Sequence, residues 1–427
     1  MRYSLESQRL PLAARPAGSL SVAPRVGAGF FAAGARLRTT VFLLGVIAIN
    51  YTWSRPSPVD GIFFGALVLT LFSEQRLNIR NLILFFLVGT WLFSVYVSSV
   101  SLIDNPLVVF QFFALTSVVL IGITSSLVTV GWGRVELERF VKVYVSANVI
   151  AALIGIYGFV SQNPSLTWAG RPTGFLDDPD MFGAFLIPGV LGSLFMIARK
   201  RNRYWHAGAL VLISIALLLS FSRAAIVSAL LFGGASFLVF NRRNLFKASL
   251  AALVVVLVLS LACLILYQSN ETFADMITGR FKLAEEYDVG YFGRYNRYLL
   301  AVPMILDHPL GLGLFEIDKI FPEPIHNIWI SSFLNYGWLA GFAWTLLMIL
   351  SVQQAWYNWK RSRDELFLLI LFCWLSVVSC AMLHQAERWR FLWLLIGMLW
   401  GLNYRNFIPA SREMPALEDK SAYRKAA

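Results

Sequence analysis

The spacing of charge along this chain limits its folds more than any other feature. Long stretches pass with no Asp, Glu, Lys or Arg, and they recur from one end to the other. We count twelve apolar runs, at roughly 39–53, 60–73, 81–101, 106–130, 142–161, 181–198, 204–221, 224–240, 247–267, 326–357, 366–383 and 389–404. Most reach about 17 to 25 residues, the length a helix needs to cross a hydrocarbon core. Unpaired backbone N–H and C=O groups are not tolerated in lipid, so such runs must be helical. With 58% hydrophobic and 14% charged residues, the chain falls far below the usual charge of a soluble domain. The expected fold is all-α: a polytopic membrane bundle of about 12 transmembrane helices.

Charge distribution orients the bundle. Lys and Arg gather in alternate loops, while the intervening loops hold most of the acidic residues. This is the positive-inside pattern, and it predicts that both termini are cytoplasmic. The net charge of +12 therefore reads as topology and contact with anionic membrane lipids, not as a nucleic-acid face. Five segments follow: a basic, flexible N-terminus (1–38), helices one to nine (39–267), a periplasmic loop with a surface helix (268–325), helices ten to twelve (326–407) and a cytoplasmic tail (408–427). The first 38 residues lack a cleavable-signal layout. Cys263, Cys373 and Cys380 lie inside apolar runs and make neither a disulfide framework nor a metal spacing.

No run carries an ionisable Asp, Glu, Lys or Arg in its core, which argues against an ion-coupled transporter. No internal repeat of the kind that builds such transporters is visible. The chemistry belongs at an aqueous edge, and the outer loops hold the unusual residues. Arg223 sits in a tight Ser-Arg-Ala-Ala turn between two apolar runs (222–225). The loop around 162–180 contains Arg171 and the carboxylates Asp177, Asp178 and Asp180; Asp-Pro-Asp is how a turn or helix cap is written, and more weakly a cation site. The second long loop carries Arg294 and Arg297, three apart on a predicted short helix over 292–306. It ends on Pro-Glu-Pro-Ile-His-Asn (322–327), which places His326 in the first turn of the next helix. A helix N-terminus disfavours imidazolium, so His326 is expected to be neutral and able to accept a proton. His384, Glu387, Arg388 and Arg390 read as a solvated ion-pair cluster in the last outer loop.

Arginine grips phosphate through paired charge-assisted hydrogen bonds. Several arginines and one neutral imidazole at a membrane edge suit transfer of a sugar from a lipid diphosphate. Arg294, Tyr298, Pro-Leu-Gly-Leu-Gly (309–313), His326-Asn327 and Gly337 to Gly341 together resemble the signature region of the O-antigen ligase/polymerase superfamily. Ser222-Arg223-Ala224-Ala225 and Arg171-Pro172-Thr173-Gly174 match two further family stretches; Asp178-Pro179-Asp180 departs from the usual Asn-Pro-Asn.

The resemblance implies a cell inner-membrane glycosyltransferase with its active site on the periplasmic side. It would move polysaccharide from undecaprenyl diphosphate to lipid A-core, in lipopolysaccharide biosynthesis, without a metal or other cofactor. His326, Arg223 and Arg294 would be catalytic, and Arg171, Arg297 and Asn327 substrate-binding. The partners implied are the lipid-linked glycan donor, a lipid A-core or glycan acceptor and inner-membrane lipids. A polymerase of O-antigen or exopolysaccharide shares these motifs and is the alternative. A twelve-helix transporter and a non-catalytic assembly scaffold are more distant ones.

Overall fold

The computed structural model describes residues 26–52, 57–73, 77–242, 244–269, 271–280 and 290–408. Most of both expected tails, 1–25 and 409–427, and the middle of the second long loop, 281–289, lie outside the described residues. The helices are α1 (Val26–Ala48), α2 (Pro58–Leu71), α3 (Ile79–Ser99), α4 (Pro106–Thr129), α5 (Arg134–Ser161), α6 (Pro179–Ala198), α7 (Arg203–Leu219) and α8 (Arg223–Asn241). They continue with α9 (Leu245–Ser269), α10 (Glu271–Arg280), α11 (Arg294–Asp307), α12 (Ile328–Ser362), α13 (Glu365–Ala381) and α14 (Arg390–Gly401). A two-stranded ribbon, β1 (Thr167–Trp168) and β2 (Arg171–Pro172), is the one β element described.

Each of the twelve apolar runs is helical, and the protein is an all-α membrane protein. Length and apolar composition qualify six described helices as spans (α3, α4, α5, α6, α8 and α12), and a seventh if α9 and α10 form one bent span. The twelve spans expected are not reached on that measure, because α2, α7, α13 and α14 are apolar but short and α1 does not qualify. For α14 the reason is packing. All of its residues are buried, so it lies within the bundle rather than facing lipid. It crosses α4 where a Cβ on Gly397 would stand 2.0 Å from the Gly122 carbonyl, a backbone approach that only glycine permits. Trp91, Trp344 and Trp393 meet beside this crossing, with ring centroids 5.6 to 6.1 Å apart, and tie α3, α12 and α14 together.

Polar contacts sort the connecting segments into two ends. At one, Arg134 pairs with Asp364 at 2.7 Å, Arg199 pairs with Glu365 at 2.6 Å, and Asn358 donates to the Leu402 carbonyl. At the other, Thr52 donates to the Phe175 carbonyl, Arg390 pairs with Asp60 at 2.9 Å, and Arg171 donates to the Ser220 carbonyl.

At this second end α12 is broken. Gly337 has φ +84° inside the helix, so the carbonyls ahead of it lose their normal partners. The Pro-Leu-Gly-Leu-Gly segment fills the gap. Leu312 N–H donates to the Leu334 carbonyl and Gly313 N–H to the Asn335 carbonyl, each at 2.9 Å. Trp338 N–H returns a bond to the Pro309 carbonyl at 2.9 Å, and Ser94 Oγ satisfies the Tyr336 carbonyl at 2.6 Å. The two backbones touch: a Cβ on Gly311 would fall 2.5 Å from Gly337 N, and one on Gly337 would fall 2.6 Å from the Pro309 carbonyl oxygen. Both glycines also have positive φ, which an L side chain resists.

This interlock leads directly to α11 and the loop after it. Ala301, Ile317, Phe321, Ile325 and Leu334 form a small separate core that fixes α11 against the first half of α12. Replacing Gly337 or Gly311 with alanine adds both strain and a backbone clash, a cost of roughly 2–5 kcal/mol. Each variant is expected to unfold at lower temperature in detergent. Gly234→Ala, which meets nothing within 4 Å, should leave the midpoint nearly unchanged. Equal midpoints for Gly337→Ala and Gly234→Ala would remove the interlock from the account.

Candidate active site

The first long loop is shaped to hold Arg171. The chain turns at Ala169 (φ 49°) and Gly170 (φ 73°), so that β2 lies back on β1 and the guanidinium points inward. Its Nε donates to the Ser220 carbonyl at 2.8 Å, and Nη2 pairs with Asp180 at 3.0 Å. The three carboxylates of this loop have separate tasks. Asp177 accepts from Thr52 Oγ1 at 3.1 Å. Asp178 is the N-cap of α6 and accepts from Met181 N–H at 2.6 Å, with Pro179 at the first helical position. Burial pushes the Asp178 carboxyl up to about 6 against that hydrogen bond, and the charge of Asp180 adds to the rise. Asp180 faces Arg171. The Arg171 guanidinium therefore offsets the charge of Asp180. Arg223 opens α8 behind its cap Ser222, whose side chain accepts from Ala225 N–H.

His326 is placed differently from the expectation. Helix α12 begins at Ile328, and Asn327 is its cap, so the histidine stands one residue before the cap rather than in the first turn. Asn327 Oδ1 accepts from Trp329 N–H at 2.9 Å and Ile330 N–H at 3.1 Å. That carboxamide oxygen, assigned above to substrate, ends the helix instead. Arg297 also differs from the substrate-binding role read from the sequence. It is 2% exposed and donates to the Glu323 and Pro324 carbonyls at 2.7 and 3.2 Å, with the Glu323 carboxylate at 3.3 Å. Prolines at 322 and 324 leave this stretch without helical bonds of its own, and Arg297 satisfies its carbonyls. Tyr298 donates its hydroxyl to the His326 carbonyl. Arg297 and Tyr298 thus hold the histidine by its backbone.

A cavity of about 610 Å³ lies over these groups, lined by Arg171, Asp177, Asp178, Asp180, Arg294, His326, His384, Arg388 and Trp389 among others. A second cavity of about 410 Å³ adjoins it and is lined by Arg223, Tyr295, apolar residues of α8 (Ala224, Val227 and Leu231) and Leu383 beyond the end of α13. Arg223 and His326 do not share a cavity; Asp180, Arg294 and His384 line both and join them. Burial lowers the His326 imidazole to about 4, with His384, Arg294 and Arg297 adding to the drop and Asp180 opposing it. The expected neutral imidazole is present, but its surroundings cause it more than the helix end does.

The last loop at this end was misread from the sequence as solvated. His384 meets His326 edge-on, ring centroids 6.1 Å apart, and its Nε2 lies 3.9 Å from Asp180. Burial lowers its basicity against the pull of Asp180. Glu387 is buried, accepts from Ser331 Oγ at 2.6 Å, and is raised by desolvation. Arg390 closes on both oxygens of Asp60 at 2.9 and 3.0 Å. Arg388 lines the cavity. The sequence signal was there, since His384 and Arg388 precede a fully apolar run, but the Asp180 carboxylate beside His384 lies more than 200 residues away in the chain.

No curated protein matches the chain. Residues 208–345 match the family model described as O-antigen ligase. The matched segment runs from α7 into α12 and contains Arg223, Arg294, His326, Asn327, Gly311 and Gly337. Arg171, His384 and Arg388 lie outside it. The match covers α7 to α12; it supports a likeness to the O-antigen ligase-like superfamily and points in general to a membrane glycosyltransferase-like enzyme with glycan and lipid-linked substrates.

Proposed function

We propose that the chain transfers a glycan from undecaprenyl diphosphate to lipid A-core at the periplasmic face of the inner membrane. The observation that carries this reading is the joined pair of cavities. One holds His326 among charged side chains; the other has an apolar wall on α8 (Ala224, Val227 and Leu231) beside Arg223; Arg294 lines both. A polyprenyl diphosphate has the same two-part chemistry. Its chain would lie against Val227 and Leu231, and its diphosphate against Arg223 and Arg294, with Arg171 behind Asp180. Alternate basic loops put the end bearing Arg134 and Arg199 in the cytoplasm, which leaves the site outside, where nucleotide sugars are absent.

In the reaction, an acceptor hydroxyl attacks the anomeric carbon and gives its proton to His326. The bond from that carbon to the phosphate oxygen breaks, and the diphosphate leaves with the electron pair. Arginines at the junction stabilise the charge that develops on it. The donor also tunes the base. Neighbouring cations help hold His326 near 4, a weak base. A diphosphate bound among them supplies negative charge that favours imidazolium, so the imidazole becomes a stronger base once the donor is in place.

Three tests follow. Purified protein in vesicles should move a lipid-linked glycan onto lipid A-core, and His326→Ala should lower that rate by about 10²–10⁴, the contribution of a positioned base; wild-type rates in that variant remove the role. Arg223→Lys should lose roughly 10- to 100-fold, because an ammonium cannot grip a diphosphate bidentately. In pH profiles, neutral His326 is required, so kcat/KM for donor should hold down to about pH 4 and then fall. The limb in kcat should lie at higher pH, reflecting the donor-bound imidazole; coincident limbs would show that the donor does not tune the base. In a deletion strain, glycan retained on the carrier and none on the core marks a ligase. A single attached repeat marks a polymerase.

A further inference from the structure

A third cavity, of about 400 Å³, meets the catalytic one from another side. Its wall is Phe110, Phe113 and Val118 of α4 together with Thr52, and its inner end is Asp177 and Arg388, which also line the cavity containing His326. Phe113 is 65% exposed and Phe110 41%, so the apolar wall continues onto the membrane-facing surface of α4. None of the residues lining this third cavity lines the cavity of Arg223. The catalytic cavity therefore has two lateral extensions, one along α8 and one along α4.

The charges at the inner end are not equivalent. Asp60 is bound on both oxygens by Arg390. Asp177 accepts from Thr52. Arg388 forms no hydrogen bond or ion pair among the described residues, and the adjacent Glu387 is turned away to Ser331. A guanidinium so placed grips phosphate, and a carboxylate such as Asp177 accepts hydrogen bonds from sugar hydroxyls.

We infer that the α4 cavity seats the acceptor, a phosphorylated glycolipid. An acyl chain lies along Phe110 and Phe113, a phosphate meets Arg388, and a sugar hydroxyl on the same headgroup reaches His326. The inference rests on the reading of the chain as a ligase, and it has a physical basis in that reading. Both substrates are lipid-anchored in one leaflet. With the donor chain filling the α8 side, a second lipid needs a second lateral opening.

The test uses the full chain in vesicles with a photoreactive benzoylphenylalanine at Ser117, on the α4 wall, or at Val227, on the α8 wall. The probe is lipid A-core, in vesicles of phosphatidylethanolamine and phosphatidylglycerol. Light should attach lipid A-core at position 117 and not at 227, and Arg388→Ala should cut that yield at least tenfold with Arg388→Lys between. Arg388→Ala should also raise the acceptor KM about tenfold and leave the donor KM unchanged, with a detergent melting midpoint equal to wild type. Attachment at 227 instead of 117, equal yields from Arg388→Ala, or phosphatidylglycerol or undecaprenyl diphosphate attached at 117 as readily as lipid A-core would overturn the inference. Because attachment needs no turnover, the two readings separate. Specific attachment at 117 without transfer supports the cavity and contradicts the ligase; transfer without attachment at 117 does the reverse.

Discussion

The backbone of the 309–313 turn sits inside the break of α12, and the arrangement of the site follows from that contact. A helix interrupted at Gly337 exposes carbonyls that must find donors within the bundle. The N–H groups of Leu312 and Gly313 and the Ser94 hydroxyl supply them. This fixes where residue 314 begins, and Leu314 N–H is then held by Ser99 on α3. The chain from there to His326 has little regular structure of its own. It is positioned at one end by the interlock and at the other by Arg297 and Tyr298.

A second constraint is the division of labour among arginines. Arg171, Arg297 and Arg390 are each engaged with protein acceptors, and they fix a loop, a histidine and two helix starts respectively. Arg223, Arg294 and Arg388 line cavities. Residue type alone does not separate these groups. The separation depends on which carbonyls and carboxylates the fold brings beside each guanidinium, as it brings the Glu323 carbonyl beside Arg297 and Asp60 beside Arg390. In the proposed reading the second set meets substrate charge, in surroundings where burial disfavours imidazolium.

Much of the helical architecture was legible because its cause is local. Apolar runs without charge have one structural solution in lipid, and the alternate basic loops coincide with one end of the bundle, where Arg134 and Arg199 meet Asp364 and Glu365. Helix α11 was visible from its spacing as well. The status of each helix as a span was less legible, since α14 is short because it is enclosed and nothing in its composition says so. In the site, Arg294 and His326 stood out as candidates because they flank motifs with turn residues. Arg297 and Asn327 were given the wrong partners, since their bonds go to carbonyls and N–H groups, which leave no mark in side-chain identity. His384 and Glu387 were read as solvated because their partners, Asp180 and Ser331, come from α6 and α12, which no short window reveals.

The account stands on a lipid diphosphate being bound where Arg294 joins the two cavities. The most direct measurement is a structure of the protein with undecaprenyl diphosphate. The account predicts diphosphate density against Arg294 and Arg223, within reach of His326, with the chain running along α8 past Val227 and Leu231. Density instead in the arginine-lined cleft at the opposite end, beside Arg361 and Arg363, would contradict it.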